Sequence, residues 1–225
     1  YTVYCLRPHI LARRARAFLT QFPGEVLYAV KCNPHPLVVD ALYQAGIRRF
    51  DTASLPEIAQ IAETYADAET YFMHPVKGRA VIRTAYQVYG VRHFVVDHEN
   101  ELTKVLEATG GRNLVIMVRL TTPPAEGTLY HLSAKFGAEP AAAVELLRQA
   151  AKAGCDVGLA FHVGSQCLTP GAYGEALALC GKVLAEAGVN PSCIDVGGGF
   201  PGHYVAMDFT PLGDYFTAIR QGLKA

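Results

Sequence analysis

Strand-like and helix-like segments alternate along the whole chain, and this alternation restricts the available folds more than any other feature. Seven apolar runs are rich in β-branched and aromatic residues. They are Glu25–Lys31, Arg48–Ser54, Glu69–Pro75, Arg92–His98, Asn113–Leu120, Asp156–Gly164 and Cys193–Gly199. Amphipathic stretches lie between them, among them Val76–Gly90, Glu99–Thr109, Glu139–Gly154 and Tyr173–Gly188. The last two end on glycine, a common helix stop. Strict succession of β and α predicts parallel strands with right-handed crossovers. The runs are apolar throughout rather than alternating, as expected of a sheet covered by helices. Seven such units in 225 residues predict an α/β fold, a (β/α)8 TIM barrel lacking its last strand. An open doubly wound sheet is the competing architecture.

With 51% hydrophobic residues the chain can build one large core. No Gly/Ser/Pro-rich linker divides it, so residues 1–225 read as one barrel domain. Its 20 basic residues balance 20 acidic ones, so no net field draws it to nucleic acid or anionic lipid. Arg13, Arg14 and Arg16, in the basic stretch Arg7–Arg16, read as a solvated helix face. No apolar run reaches the roughly 20 residues of a membrane span. The opening Tyr1-Thr2-Val3-Tyr4 lacks a signal region and reads as a cut inside a longer chain. Cys5, Cys32, Cys155, Cys167, Cys180 and Cys193 form no CxxC pair and no metal spacing with histidine. Reduced thiols in a cytoplasmic protein are the economical reading. His9, His35, His93, His98, His131 and His203 form no metal set, so no metal site is expected.

Barrel active sites are built at the carboxyl ends of strands. Polar and glycine residues gather at those positions here: Lys31, Asp51, His74, Arg119, His162 with Ser165, and Gly197, Gly198 and Gly199. Lys31 closes an apolar run. A buried amine there would be desolvated, lowering its pKa and favouring attack on a carbonyl; a strand-end lysine reaching water is the alternative. Ser54-x-x-Glu57 is a capping box with Pro56 in the first helical turn, which by itself would account for Glu57. Asp51 has no such capping role and could pair with a lysine, or with Arg119. His162 is either a satisfied core histidine or functional; Gly164 would allow close backbone approach, and Ser165 offers a hydroxyl to an oxyanion. Gly197-Gly198-Gly199 exposes backbone amides in a nest suited to phosphate, unless it is only a tight turn. The string also fits G-x-G-x-x-G through Gly202, but Pro201 and His203-Tyr204-Val205 do not open a helix, which argues against a dinucleotide site. His74 reads as a loop residue. The stretch Thr121–Ser133, before Lys135-Phe136-Gly137, is long enough for a flap.

Four motifs occur in order: Tyr28-Ala29-Val30-Lys31-Cys32-Asn33, Phe50-Asp51-x-Ala53-Ser54-x-x-Glu57, Phe161-His162-Val163-Gly164-Ser165 and Asp195-Val196-Gly197-Gly198-Gly199-Phe200-Pro201. Together they resemble the basic amino-acid decarboxylases that use pyridoxal phosphate on an alanine-racemase-like barrel. Gly-Gly-Gly-Phe-Pro and Ser133-Ala134-Lys135-Phe136-Gly137 are more similar to the ornithine-specific branch than to the diaminopimelate one. The resemblance implies L-ornithine as substrate and putrescine and carbon dioxide as products. Diaminopimelate, lysine or arginine decarboxylation, or a non-catalytic antizyme-inhibitor-like role, are the alternatives. It further implies that Lys31 carries the cofactor, that Asp51 and Glu57 hold the lysine once freed, and that His162 stacks on the ring. Ser165 and Gly197–Gly199 would bind the phosphate, and Arg119 would brace the ring-side polar network. A homodimer with shared sites is implied too. The family's Glu-Pro-Gly-Arg strand and its Cys-Asp motif in a separate C-terminal β domain are not found in these 225 residues.

Overall fold

The computed structural model describes residues 1, 3–123, 135–202 and 210–224. Seven strands form a single sheet: β1 (Leu27–Ala29), β2 (Arg49–Thr52), β3 (Glu69–Phe72), β4 (His93–Val96), β5 (Val115–Arg119), β6 (Asp156–Ala160) and β7 (Cys193–Asp195). Every neighbouring pair is parallel, and the spatial order follows the chain order from β1 to β7. A doubly wound sheet must reverse its strand order at a switch point. This sheet never reverses, so it is a barrel-type sheet.

Eight helices are described: α1 (Pro8–Gln21), α2 (Pro36–Gln44), α3 (Leu55–Thr64), α4 (Arg79–Gln87), α5 (Glu99–Thr109), α6 (Pro140–Lys152), α7 (Gly171–Ala187) and α8 (Leu212–Gly222). Proline occupies the first turn of α1, α2, α3 and α6, where its missing N–H costs nothing. Arg13, Arg14 and Arg16 are exposed on α1, as the sequence predicts.

Outward-pointing strand residues such as Phe72, Phe94, Ile116, Val118 and Leu159 pack against the helices in the main core. Inward-pointing residues form a second, smaller layer: Val95, Met117 and Ala160, with Met73 and Cys193 against them. This explains the lack of alternation in β4, β5 and β6, where residues on both sides of the sheet are buried. Among the described residues, β1 and β7 each pair on one side only. Residues of both edges line one cavity of about 280 Å³, together with Tyr71, Met73, His93 and Met117.

The strands are shorter than the apolar runs, ending two to four residues earlier at their carboxyl ends in most cases, so the candidate site residues lie largely in the loops that follow. Lys31 is the clearest correction. It sits in a one-turn 3-10 helix, Val30–Cys32, after β1 rather than in the strand, and its side chain is 59% exposed. Of the two readings of Lys31, the desolvated amine fails and the lysine reaching water holds, because the chain turns sharply after Ala29 and carries the side chain into the open mouth.

Candidate active site

Asp51 is in β2, one strand over from the Lys31 turn, and Ala29 pairs with Asp51 in the ladder. That register brings the Lys31 ammonium to 3.9 Å from Asp51 Oδ2. The other oxygen, Oδ1, is buried with no hydrogen-bond partner among the described residues. Burial drives the Asp51 carboxyl up to about 6; Lys31 opposes this, while Asp195 and Glu57 add to it. Desolvation prevails because the lysine is partly solvated and at the limit of ion-pair distance.

Glu57 serves as a cap. Ser54 Oγ accepts from Glu57 N at 3.5 Å, and Glu57 Oε2 accepts from Ala53 N at 2.7 Å. The capping box thus closes one residue further back than the motif predicts. No ion pair joins Glu57 to Lys31 among the described residues, although its charge is felt at Asp51.

His162 follows β6. Its Nδ1 accepts from Gly164 N at 3.0 Å, which fixes the ring and leaves Nε2 toward Gly198. Burial, then the charges of Arg119 and Lys31, push the imidazole down to about 4, so it is neutral at physiological pH. Ser165 directly follows Gly164 and is half-buried.

The glycine turn is a tight backbone cradle. Gly197 (φ +69°) and Gly199 (φ +92°) lie in the left-handed region and Gly198 does not. Such alternation turns successive amides to one side. A Cβ at Gly197 would run into the Phe161 carbonyl, and one at Gly199 into the Gly164 carbonyl, so no other residue fits at either position. Asp195 Oδ1 accepts from Gly197 N at 2.7 Å. Asp195 was legible only as part of the motif; burial raises its carboxyl.

Arg119 ends β5 without the Asp51 ion pair expected from sequence; no carboxylate lies within ion-pair distance among the described residues. Burial lowers its pKa, opposed by Asp97 first, then Asp195 and Asp51. Its guanidinium lies 5.3 Å from the Phe136 ring centroid, and His74 meets the same ring edge-on at 5.6 Å. His74 is otherwise a loop residue, its Nδ1 2.8 Å from Val76 O. The expected flap falls mainly on residues 124–134, and His203-Tyr204-Val205 on 203–209; both lie outside the described residues. Among the described residues, no group of three or more metal-ligating side chains comes together.

Sequence reading missed a buried ionic cluster behind this mouth. Lys77 has a fully buried side chain, with Nζ 3.1 Å from Glu101 Oε1. It also donates to the carbonyls of His74, Pro75 and Val95 at 2.9, 3.1 and 2.6 Å. Glu101 receives Lys104 on its other oxygen at 2.5 Å. Nothing in Val76-Lys77-Gly78 signals burial, because the partners come from β4 and α5.

These features define a parallel α/β barrel with its candidate site residues gathered at the carboxyl mouth. The particular lineage follows from comparison with known proteins. Residues 9–225 match the family described as pyridoxal-dependent decarboxylase, pyridoxal binding domain, and the chain belongs to that family. Its cofactor is pyridoxal phosphate. It is 35% identical over 181 residues to lysine/ornithine decarboxylase of Selenomonas ruminantium, covering 78% of this chain and 45% of that protein. Antizyme inhibitor 2 of Xenopus laevis is 34% identical over 198 residues, covering 85% and 42%. The crystal structure of lysine/ornithine decarboxylase from Vibrio vulnificus, complexed with putrescine, superposes with a TM-score of 0.82 at 34% identity, covering 96% and 58%. The chain thus spans under half the length of these two curated relatives.

The residues present fit the cofactor. An accessible amine stands beside a buried carboxylate oxygen that has no hydrogen-bond partner among the described residues, and the glycine cradle has no room for a side chain at Gly197 or Gly199.

Proposed function

We propose that this chain is the cofactor-holding barrel of an enzyme that removes the α-carboxylate of a basic amino acid, with L-ornithine as substrate and putrescine and carbon dioxide as products. The Lys31–Asp51 pair at the barrel mouth, flanked by His162 and the glycine cradle, carries this reading. When bound, pyridoxal phosphate delocalises the electron pair left behind as carbon dioxide departs.

The protein supplies attachment, orientation and charge. Lys31, whose exposed amine stands at the mouth, would hold the cofactor. Asp51 remains 3.9 Å away as its counter-charge, with Glu57 behind it. His162, neutral at physiological pH, offers a flat uncharged ring to stack on without adding a cation. The amides of Gly198 and Gly199 with Ser165 would hold the phosphate, Gly197 shaping the turn because its N–H is taken by Asp195, and Arg119 would order the ring-side carboxylates Asp97, Asp195 and Asp51. As a whole enzyme it would be a cytoplasmic homodimer of polyamine synthesis, the six free thiols suiting a reducing compartment.

The test is to incubate the full-length parent with L-ornithine, L-lysine, L-arginine and diaminopimelate, measuring carbon dioxide, putrescine, cadaverine and agmatine. Ornithine should dominate, and Lys31→Ala should abolish both turnover and the visible absorbance of bound cofactor. A fully active Lys31→Ala enzyme would refute the role of the lysine. The similarity to antizyme inhibitor 2 favours one second reading, a partner-binding homologue without turnover. Cofactor-loaded parent that releases no carbon dioxide from any of the four would select it.

A further inference from the structure

Three consecutive glycines form the loosest stretch of backbone a cradle could use. No Cβ restrains Gly198 or Gly199, so the peptide between them can rotate at little steric cost. Amides that must point steadily at an anion therefore have to be fixed from outside the turn.

Tyr173, near the start of α7, supplies such a tether. It is fully buried, and its hydroxyl donates to the Gly198 carbonyl at 2.8 Å. Burial raises its pKa, so the phenol stays protonated and remains a donor. Its ring stacks on Phe200 at 5.1 Å and 7° and meets Tyr215 edge-on at 5.8 Å. Phe200 is in turn held edge-on by Phe18 of α1 and Phe216 of α8. A second tether runs parallel to the first. Tyr215 donates to Cys167 O at 2.7 Å, and Cys167 N donates to Gly199 O at 2.8 Å.

A trans peptide points its carbonyl and its N–H in opposite directions. Drawing the Gly198 carbonyl into the aromatic block therefore turns the Gly199 N–H away from it, and binding the Gly199 carbonyl does the same for the Phe200 N–H. Among the described residues, neither N–H has an acceptor, nor does that of Gly198. Gly197 differs, since its N–H is spent on Asp195.

We infer that Tyr173 is a positioning residue for the cofactor phosphate: its hydroxyl locks the Gly198–Gly199 peptide in the orientation that presents the Gly199 amide to the anion. The inference rests on the glycine turn being the phosphate site. Pre-orientation of this kind strengthens binding by removing an ordering cost.

The experiment compares Tyr173→Phe with wild type in the full-length protein, measuring affinity for pyridoxal phosphate and for pyridoxal, which lacks the phosphate. Phenylalanine keeps the stack and loses only the donor. Loss of one hydrogen bond's ordering should weaken pyridoxal phosphate binding about tenfold and leave pyridoxal affinity unchanged. Equal weakening of both ligands, or no change in either, would overturn the inference while leaving the phosphate site intact. Wild type that binds both ligands equally would instead remove the phosphate site, and the inference with it. Should the variant fail to fold, wild type alone decides. Inorganic phosphate should shift the Gly199 and Phe200 amide resonances and spare Gly197, and a uniform response would count against the tether.

Discussion

Replacing Asp51 with asparagine should make the cofactor-free chain more stable at neutral pH, by an amount that disappears in acid. The fold raises this carboxyl from 3.8 to about 6. A raised carboxyl pKa means the native state binds the proton more tightly than the unfolded chain, so stability is lost as pH rises through the interval. At 1.36 kcal/mol per unit, ionised Asp51 costs the native state about 3 kcal/mol at pH 8, about 1.6 at pH 5 and about 0.5 at pH 4. The opposing pull of Lys31 is already contained in that shift. Asparagine is nearly isosteric and never ionises, so Asp51→Asn should gain most of these amounts. Wild type alone would conceal the effect. His162, lowered from 6.5 to about 4, runs the other way, because over that interval the unfolded chain takes up a proton that the native imidazole refuses. The two slopes nearly cancel between about pH 4 and pH 6. Urea unfolding of both proteins from pH 4 to pH 8 isolates the Asp51 contribution. A variant-minus-wild-type difference that is flat with pH, or largest in acid, would refute the reasoning.

Two further substitutions probe the scaffold. Gly199→Ala places a Cβ at φ +92° against the Gly164 carbonyl and should cost at least about 2 kcal/mol in urea unfolding. Gly198→Ala, whose Cβ would sit 3.8 Å from His162 Nε2, should cost under about 1 kcal/mol; equal losses would contradict the steric account. Lys77→Met should lose about 3 kcal/mol, the lower end for breaking a buried pair, because Lys104 still neutralises Glu101 at 2.5 Å. A neutral outcome in the same assay would show that methionine packing replaces the ion pair.

Much of the architecture was readable in the sequence. α5 spans Glu99–Thr109, the bounds its amphipathic pattern predicts, and the seven apolar runs each contain one strand. Their carboxyl ends were overextended for a definite reason. Val30, Val163 and Val196 are 0%, 5% and 7% exposed yet lie beyond the last residues of β1, β6 and β7. Apolar composition reports burial, whereas a strand is defined by ladder pairing, and at a barrel mouth the loops remain buried after the ladder ends. Lys31, Asp51, His162 and the three glycines were identifiable because each combines an unusual residue type with a strand end.

The sequence by itself determined the parallel βα succession and which side chains gather at its carboxyl ends, since both follow from local periodicity and residue chemistry. Only the tertiary structure decided that Lys31 faces solvent on a 3-10 turn, that Asp97 and Asp195 outweigh Asp51 around Arg119, that Lys77 is buried, and that Tyr173 grips the glycine turn. Each of these depends on contacts between segments far apart in the chain, and no local pattern carries that information.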